Sequence, residues 1–346
     1  MKNPVSFHIN AEDFLPASKE EKQGLVIMRE SVSFWQDGFR RLYHNKVAMV
    51  SAIVLVIIII FAFVIPAFYP YRYEQQRKGA EYMPPMQYSP EEQEAIDAGE
   101  SVFPHILGTD SLGRDYAVRV MVGGRISLIV GIVASAIIFF IGSIYGSVSA
   151  FFGGKTDNIM MRIVDIIYTI PDILMIVLIA FALKTPLQDL AKRPSFAWLN
   201  ALGVNLISIF IVFSLLYWVG MARIVRSQVL SLKEMDFVMA ARALGASSGR
   251  IIRKHLLTNC IGTLIVTTTL QIPISIFTES FLSFLGLGVA APMPSLGSLA
   301  SAAINGIYSY PYLLIFPALL IALIILSFNL LGDGLRDAFD PKLKQG

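Results

Sequence analysis

With a single cysteine, Cys260, the sequence cannot form an internal disulfide. Histidine is almost as rare, and His8, His44, His105 and His255 are too scattered to form a zinc-ligand pattern. Charge is also in short supply. Only 15% of the 346 residues are Asp, Glu, Lys or Arg, against about 25% in soluble domains. That is too little to clothe a water-facing surface, so an isolated soluble domain is excluded. The formal net charge of +3 is slight and dispersed, which argues against nucleic acid as a partner.

What is abundant is apolar sequence, 55% of the chain. It gathers into six runs long enough to cross a bilayer, which takes roughly 20 residues: 47–68, 126–152, 163–183, 202–221, 260–285 and 311–331. Lipid offers the backbone no hydrogen-bond partners and barrel-like alternation is absent, so the runs are predicted to be helices. The first is not a cleaved signal, since 46 residues precede it. Nineteen of the 28 Lys and Arg fall in 1–46, 153–162, 222–259 and 332–346, a bias that places both termini in the cytoplasm. The expectation is therefore an all-α integral membrane protein. It would have a cytoplasmic tail (1–46), a first span (47–68), an extracytoplasmic segment (69–125), a core of five spans (126–331) with a cytoplasmic loop at 222–259, and a cytoplasmic tail (332–346).

Two soluble stretches carry local signals. Trp35, Phe39, Leu42 and Tyr43 share one helical face flanked by Arg40, Arg41 and Lys46, the pattern of a helix lying among lipid headgroups or of an extension of the first span. Residues 1–30 show no clear period. Ser89-Pro90-Glu91-Glu92 reads as a capping box with Pro at the first helical position, and Gly99 as a stop. A short acidic helix is predicted there, either a solvated decoration or a partner-facing surface.

Other features are ambiguous by spacing alone. Ser149 followed by Gly154-Lys155-Thr156 lacks the first glycine and the buried strand of a phosphate loop, and Gly286-x-Gly288-x-x-Ala291 follows a membrane helix and meets Pro292 and Pro294. Neither is a nucleotide site. Asp165, Asp172 and Glu279 fall within or at the ends of apolar runs, where carboxylates face protein or water. Asp165 is placed to pair with Arg162, and Pro171 and Pro273 predict kinks. Gly142, Gly146 and Ala150 make a small-residue face for another helix, in this chain or in a second subunit.

The most informative stretch is 234–259. Asp236 is predicted to cap a helix with Phe237, Ala240, Ala241 and Leu244 on one face and Gly245 as its stop, and Ser247 or Ser248 to start a second helix with Ile251, Ile252 and Leu256 inward. This stretch resembles the EAA loop of ABC-importer permeases: Ala240, Ala241, Gly245 and Leu257 match, while Met239, His255 and Thr258 depart from the usual Glu, Ile and Pro. The run from Phe237 to Ser247 is closer to the version in dipeptide and oligopeptide permeases. So are His105-x-x-Gly-Thr-Asp-x-x-Gly-Arg-Asp115, Ala222-Arg-x-Val-Arg-x-x-x-Leu230 and Glu279-x-x-Leu-Ser-Phe-Leu-Gly-Leu-Gly288, in that order, with a later Pro294-Ser-Leu-Gly297.

The resemblance, to the second, C-type membrane subunit of peptide importers, implies a type I importer architecture. It implies a second homologous permease, two cytoplasmic ATPases that hold ATP and Mg²⁺, and an extracytoplasmic substrate-binding protein; this chain would carry no cofactor and catalyse nothing. Asp236, Phe237, Ala240, Ala241, Arg242 and Gly245 become the expected ATPase contact. Gly108, Asp110, Gly113, Arg114 and Asp115, with Asp172 and Glu279, become gating or structural residues. Related permeases also carry nickel chelates. A secondary transporter using Asp172 or Glu279 would leave the 234–259 loop unexplained, and no nucleophile or metal-ligand spacing supports a membrane enzyme built on His105, Asp110 and Asp115.

Overall fold

The computed structural model describes residues 33–196, 199, 203–289 and 291–339. The period-free stretch 1–30 and the end of the 332–346 tail lie outside the described residues, as does the Asp172 side chain.

Helices α1 (Phe34–His44) and α2 (Lys46–Phe68, with a π-helical turn at Ile60–Val64) are hinged at Asn45, whose side chain accepts the Ala48 N–H. After an irregular segment holding α3 (Pro90–Asp97) come α4 (Tyr116–Phe152), α5 (Gly154–Thr169), α6 (Asp172–Ala191), α7 (Val204–Leu216) and α8 (Trp218–Leu232). Next are α9 (Asp236–Ala243) and α10, made of Ser248–Arg250, a π-helical Ile251–Leu256 and Leu257–Asn259. The chain ends with α11 (Ile261–Phe284), α12 (Leu296–Ala303) and α13 (Tyr312–Phe339). Among the described residues there is no strand, only isolated bridges such as Gln87 with His105. Six helical stretches are long and apolar enough to span a membrane: Lys46–Phe68, Tyr116–Phe152, Ile173–Ala191, Val204–Leu232, Ile261–Phe284 and Tyr312–Phe339.

These bounds differ from the apolar runs in instructive ways. The third span begins at Ile173, not at 163, because Ile170 is extended (ψ 135°) ahead of Pro171, which breaks the run into α5 and α6. Helix α4 begins at Tyr116, ten residues before the second run, because Asp115 caps it there while Arg119 and Arg125 merely interrupt the hydropathy. Likewise α8 carries helix past 221 to Leu232, so the loop proper starts at Lys233. Hydropathy marks where lipid could begin; caps mark where helix begins.

The packing has one spine. At 1.5 Å per residue the 37 residues of α4 span about 55 Å, well beyond a hydrocarbon layer of about 30 Å. One half of α4 shares a core with α2, α11, α12 and α13 (Leu55, Leu128, Ile276, Leu296, Ile324), and the other with α7, α8, α9 and α10 (Ile138, Phe213, Val225, Val238, Leu256). Gly142 and Gly146 answer the small-residue question: a side chain at either would run into Met221 or the Ala222 carbonyl of α8, so the partner helix is in this chain. Amphipathic α1 lies against the end of α13, with Phe339 set edge-on to Trp35 and Phe39. By contrast only 11% of the α6 window is buried, leaving Leu174, Leu178 and Phe181 exposed for lipid or a partner.

Candidate functional site

At one end of the bundle α9 and α10 form a knob between α8 and α11. The last turn of α8 closes with Met235 N–H on the Leu232 carbonyl (3.1 Å), so the extended residue before α9 is Met235 and Asp236 is already helical. Asp236 therefore sits in the first turn, where a carboxylate favours the helix dipole, and not at the expected cap. Helix α9 ends on a Schellman turn: Ala246 N–H reaches the Ala241 carbonyl at 3.0 Å and Gly245 N–H the Arg242 carbonyl at 2.9 Å. Gly245 has φ +78° and a Cβ there would meet open space, so glycine is required for its conformation, not for clearance.

The knob's faces are sharply divided. Val238 and Ala241 join Ile251 and Leu256 in the core, so Ala241 belongs to the inward face and not to the expected outward one. Outward stand Asp236, Phe237, Ala240 and Arg242, with Met239 and an 88% exposed Leu244. The Arg242 guanidinium lies 5.1 Å from the Phe151 ring centre at the end of α4.

A residue that spacing did not single out holds the knob's base. Asp157 on α5 takes two hydrogen bonds from Arg226 on α8, both 2.6 Å, and one from Ser149 on α4. The bonds from Arg226 hold its carboxyl below the usual range despite partial burial. Nearby, Lys233 Nζ donates to the Ala150 carbonyl at 3.2 Å. Ser149, the first position of the false phosphate loop, thus has a structural occupation. Asp165 pairs not with Arg162 but with Arg223 at 2.8 Å, because α5 packs along α8.

At the other end of α4 the segment 69–115 forms a network of buried charge. Asp115 caps α4 through Val118 N–H (3.0 Å) and meets His105 Nδ1 at 2.7 Å. The other edge of His105 lies 3.3 Å from Glu92, and its ring stacks on Tyr71 at 4.4 Å. Ser89 and Glu92 form the predicted capping box, but Glu92 then turns inward to Tyr71 and Arg77. The acidic helix is thus pinned by its own buried carboxylate and is no loose decoration. Burial pushes that carboxyl up, yet the Ser89 N–H, His105, Arg77 and Tyr71 outweigh it and hold it below its ordinary range.

Asp110 closes the turn that follows. It accepts from Leu112 N–H at 2.9 Å and Arg114 N–H at 3.1 Å, and pairs with Arg114 (2.7 Å) and Arg119 (3.2 Å). Gly108 (φ +76°) and Gly113 (φ +66°) lie directly against the Met83 and Arg77 carbonyls, where no side chain fits. Gly108, Asp110, Gly113, Arg114 and Asp115 therefore form one structural unit with His105 and Glu92.

Glu279 lies elsewhere, fully buried in α11. Its oxygens accept from Ser127 of α4 (2.7 Å) and Ser283 (2.7 Å), while Ser127 also accepts the Leu296 N–H that opens α12 (3.4 Å). It joins three helices and faces no open space. These partners are 152 and 4 residues away, and only the second could have been read from spacing.

An all-helical bundle of six spanning helices, with a charged, tightly turned segment at one end of its spine and an exposed knob at the other, describes a membrane permease. The chain belongs to the family of binding-protein-dependent transport system inner membrane components, which matches residues 138–345. It is a multi-pass protein of the bacterial inner membrane.

Residues 33–85 match the N-terminal transmembrane domain of oligopeptide transport permease C. The chain is similar to the oligopeptide transport system permease protein OppC of Bacillus subtilis, 40% identical over 332 residues that cover 96% of this chain and 97% of that one. It is 39% identical to the dipeptide transport system permease protein DppC of the same organism, over 96% of this chain and 94% of the relative. With OppC of Haemophilus influenzae it shares 41% identity over 90% of each chain.

Proposed function

We propose that this chain is one of two membrane subunits of an ATP-driven importer of dipeptides or oligopeptides. Relatives named for oligopeptide and dipeptide transport, matched over nearly their whole length, support the substrate class. The observation that carries the mechanism is the knob: exposed Phe237, Met239 and Leu244 on α9 and its closing turn, with Arg242 of α9 set over Phe151 of α4.

In this reading both termini and the knob are cytoplasmic, and the knob seats on an ATPase. ATP and Mg²⁺ would be held by two such partners, with no cofactor on this chain. Closure of the ATPases pushes α9, and the Asp157–Arg226 pair passes the displacement to α5 and α8. The 69–115 segment, with its rigid turns, offers the opposite face to a substrate-binding protein. A homologous permease completes the pathway.

The test uses the chain's lone, buried Cys260. Leu244→Cys introduces an exposed thiol, and a short cross-linker applied to native membranes should trap an ATPase subunit. Purification of the tagged chain should recover one homologous permease and two ATPases, and liposomes carrying that complex should take up peptides only with ATP and binding protein. A chain that purifies alone and transports without ATP would overturn the reading in favour of a secondary transporter. ATP-dependent uptake of a nickel chelate in place of peptides would keep the architecture and replace the substrate.

A further inference from the structure

Beside the knob, on the flank of the bundle, lies a groove of about 620 Å³ that none of the roles above uses. Its floor is α4, where Phe140 and Ile144 are 62% and 60% exposed. Leu257 and Leu264, where α10 passes into α11, form one wall. The aromatic face of α1, Phe34 and Trp35, closes the other.

The groove's lining is mostly apolar, with Arg253, Thr258 and Asn259 among its few polar members. Arg253 is exposed and forms no ion pair among the described residues. Thr258 and Asn259 stand beside it but are occupied, bonding the Arg253 and His255 carbonyls that the π-helical turn leaves exposed.

From this arrangement we infer that the groove holds a phospholipid with an anionic headgroup. The headgroup phosphate pairs with Arg253, and one acyl chain lies between Phe140, Ile144, Leu257 and Leu264. Charge complementarity selects this occupant, since an unpaired cation at the mouth of an apolar slot is matched by an amphiphile of opposite charge. Size disfavours a helix of another subunit. A helix about 10 Å across takes roughly 400 Å³ per turn, so the groove admits little more than one turn, whereas an acyl chain fits along it. The position agrees as well, because α1 is amphipathic with an exposed Trp35, as expected for a helix at headgroup depth. A bound lipid would tie α1 to the base of the knob.

The experiment is native mass spectrometry of the complete transporter, extracted mildly and exchanged into micelles with equal phosphatidylglycerol and phosphatidylcholine. Wild type should retain phosphatidylglycerol preferentially, and Arg253→Gln should lower that retention about fivefold. Arg250→Gln, which removes a neighbouring charge outside the groove, should leave it unchanged. A benzophenone-bearing residue at position 140 in the otherwise unaltered chain should photo-cross-link to lipid. Equal retention of both lipids, unchanged retention in R253Q, or a cross-link from position 140 to another protein would each overturn the inference. Should R253Q fail to assemble, the cross-link alone decides.

Discussion

The two ends of α4 are built on opposite plans. At its start, charge is buried and paired: Asp115, His105, Glu92, Asp110 and Arg119 are folded onto one another beneath turns that only glycine can make. At its far end the charged base, Asp157 with Arg226, is small, and the knob above it turns apolar side chains outward. The first plan turns its charges inward, and the second leaves apolar side chains such as Leu244 bare. Rigidity comes from buried charge pairs under glycine turns in one case and from the Asp157–Arg226 base with the Gly245 turn in the other, so the two ends should fail differently when altered.

The largest effect is expected from Gly108→Val. It forces a branched side chain into φ +76° and against the Met83 carbonyl, costing about 3 kcal/mol or more. The same change at Gly79, which has φ +80° but open space around it, should cost markedly less in thermal denaturation of the purified complex. Equal losses would mean that close backbone approach plays no part in the plan of that end.

Next comes Asp157→Ala, which strips Arg226 of its carboxylate at about 2 kcal/mol and loosens the knob's base. Hydrogen exchange should quicken in α5 and α8 while the 89–115 amides stay protected. Leu244→Asp probes the knob itself. Its side chain is 88% exposed, so stability should move by no more than about 0.5 kcal/mol, whereas substrate-stimulated ATP hydrolysis falls about tenfold. Unchanged hydrolysis would remove Leu244 from the partner surface.

The smallest effect concerns acidity. Because Glu92 is held below its ordinary range in the folded state, its contribution is fully present above that range and fades as pH falls through the lowered value. Exchange across α3, corrected for intrinsic rates, should therefore rise on acidification and flatten in Glu92→Gln, with α9 unaffected. A wild-type profile as flat as that of the variant would show that Glu92 does not pin the helix.

What could be read from the sequence was what is local. The Ser89–Glu92 box and the stops at Gly99 and Gly245 are set by neighbours within a few residues, and each formed as read. The six spans followed from hydropathy, but their limits did not, since Asp115 and Pro171 decide where helix starts and stops whatever the apolar run suggests. Partners across the fold were out of reach. Asp165 lies three residues from Arg162 in sequence yet pairs with Arg223, 58 residues on. Ala241 sits inward because a methyl group is small enough to pack where α9 meets α10, and its size does not announce which way it points.

The uninterrupted length of α4 has a mechanical corollary. Asp115 clamps its first turn, Phe151 meets Arg242 near its last, and two separate cores grip it between. No proline and no π-helical turn divides its 37 residues. The helix is thereby one continuous element shared by both clusters, and midway along it the backbone at Gly131 comes so close to Ile276 that any side chain there would collide with it.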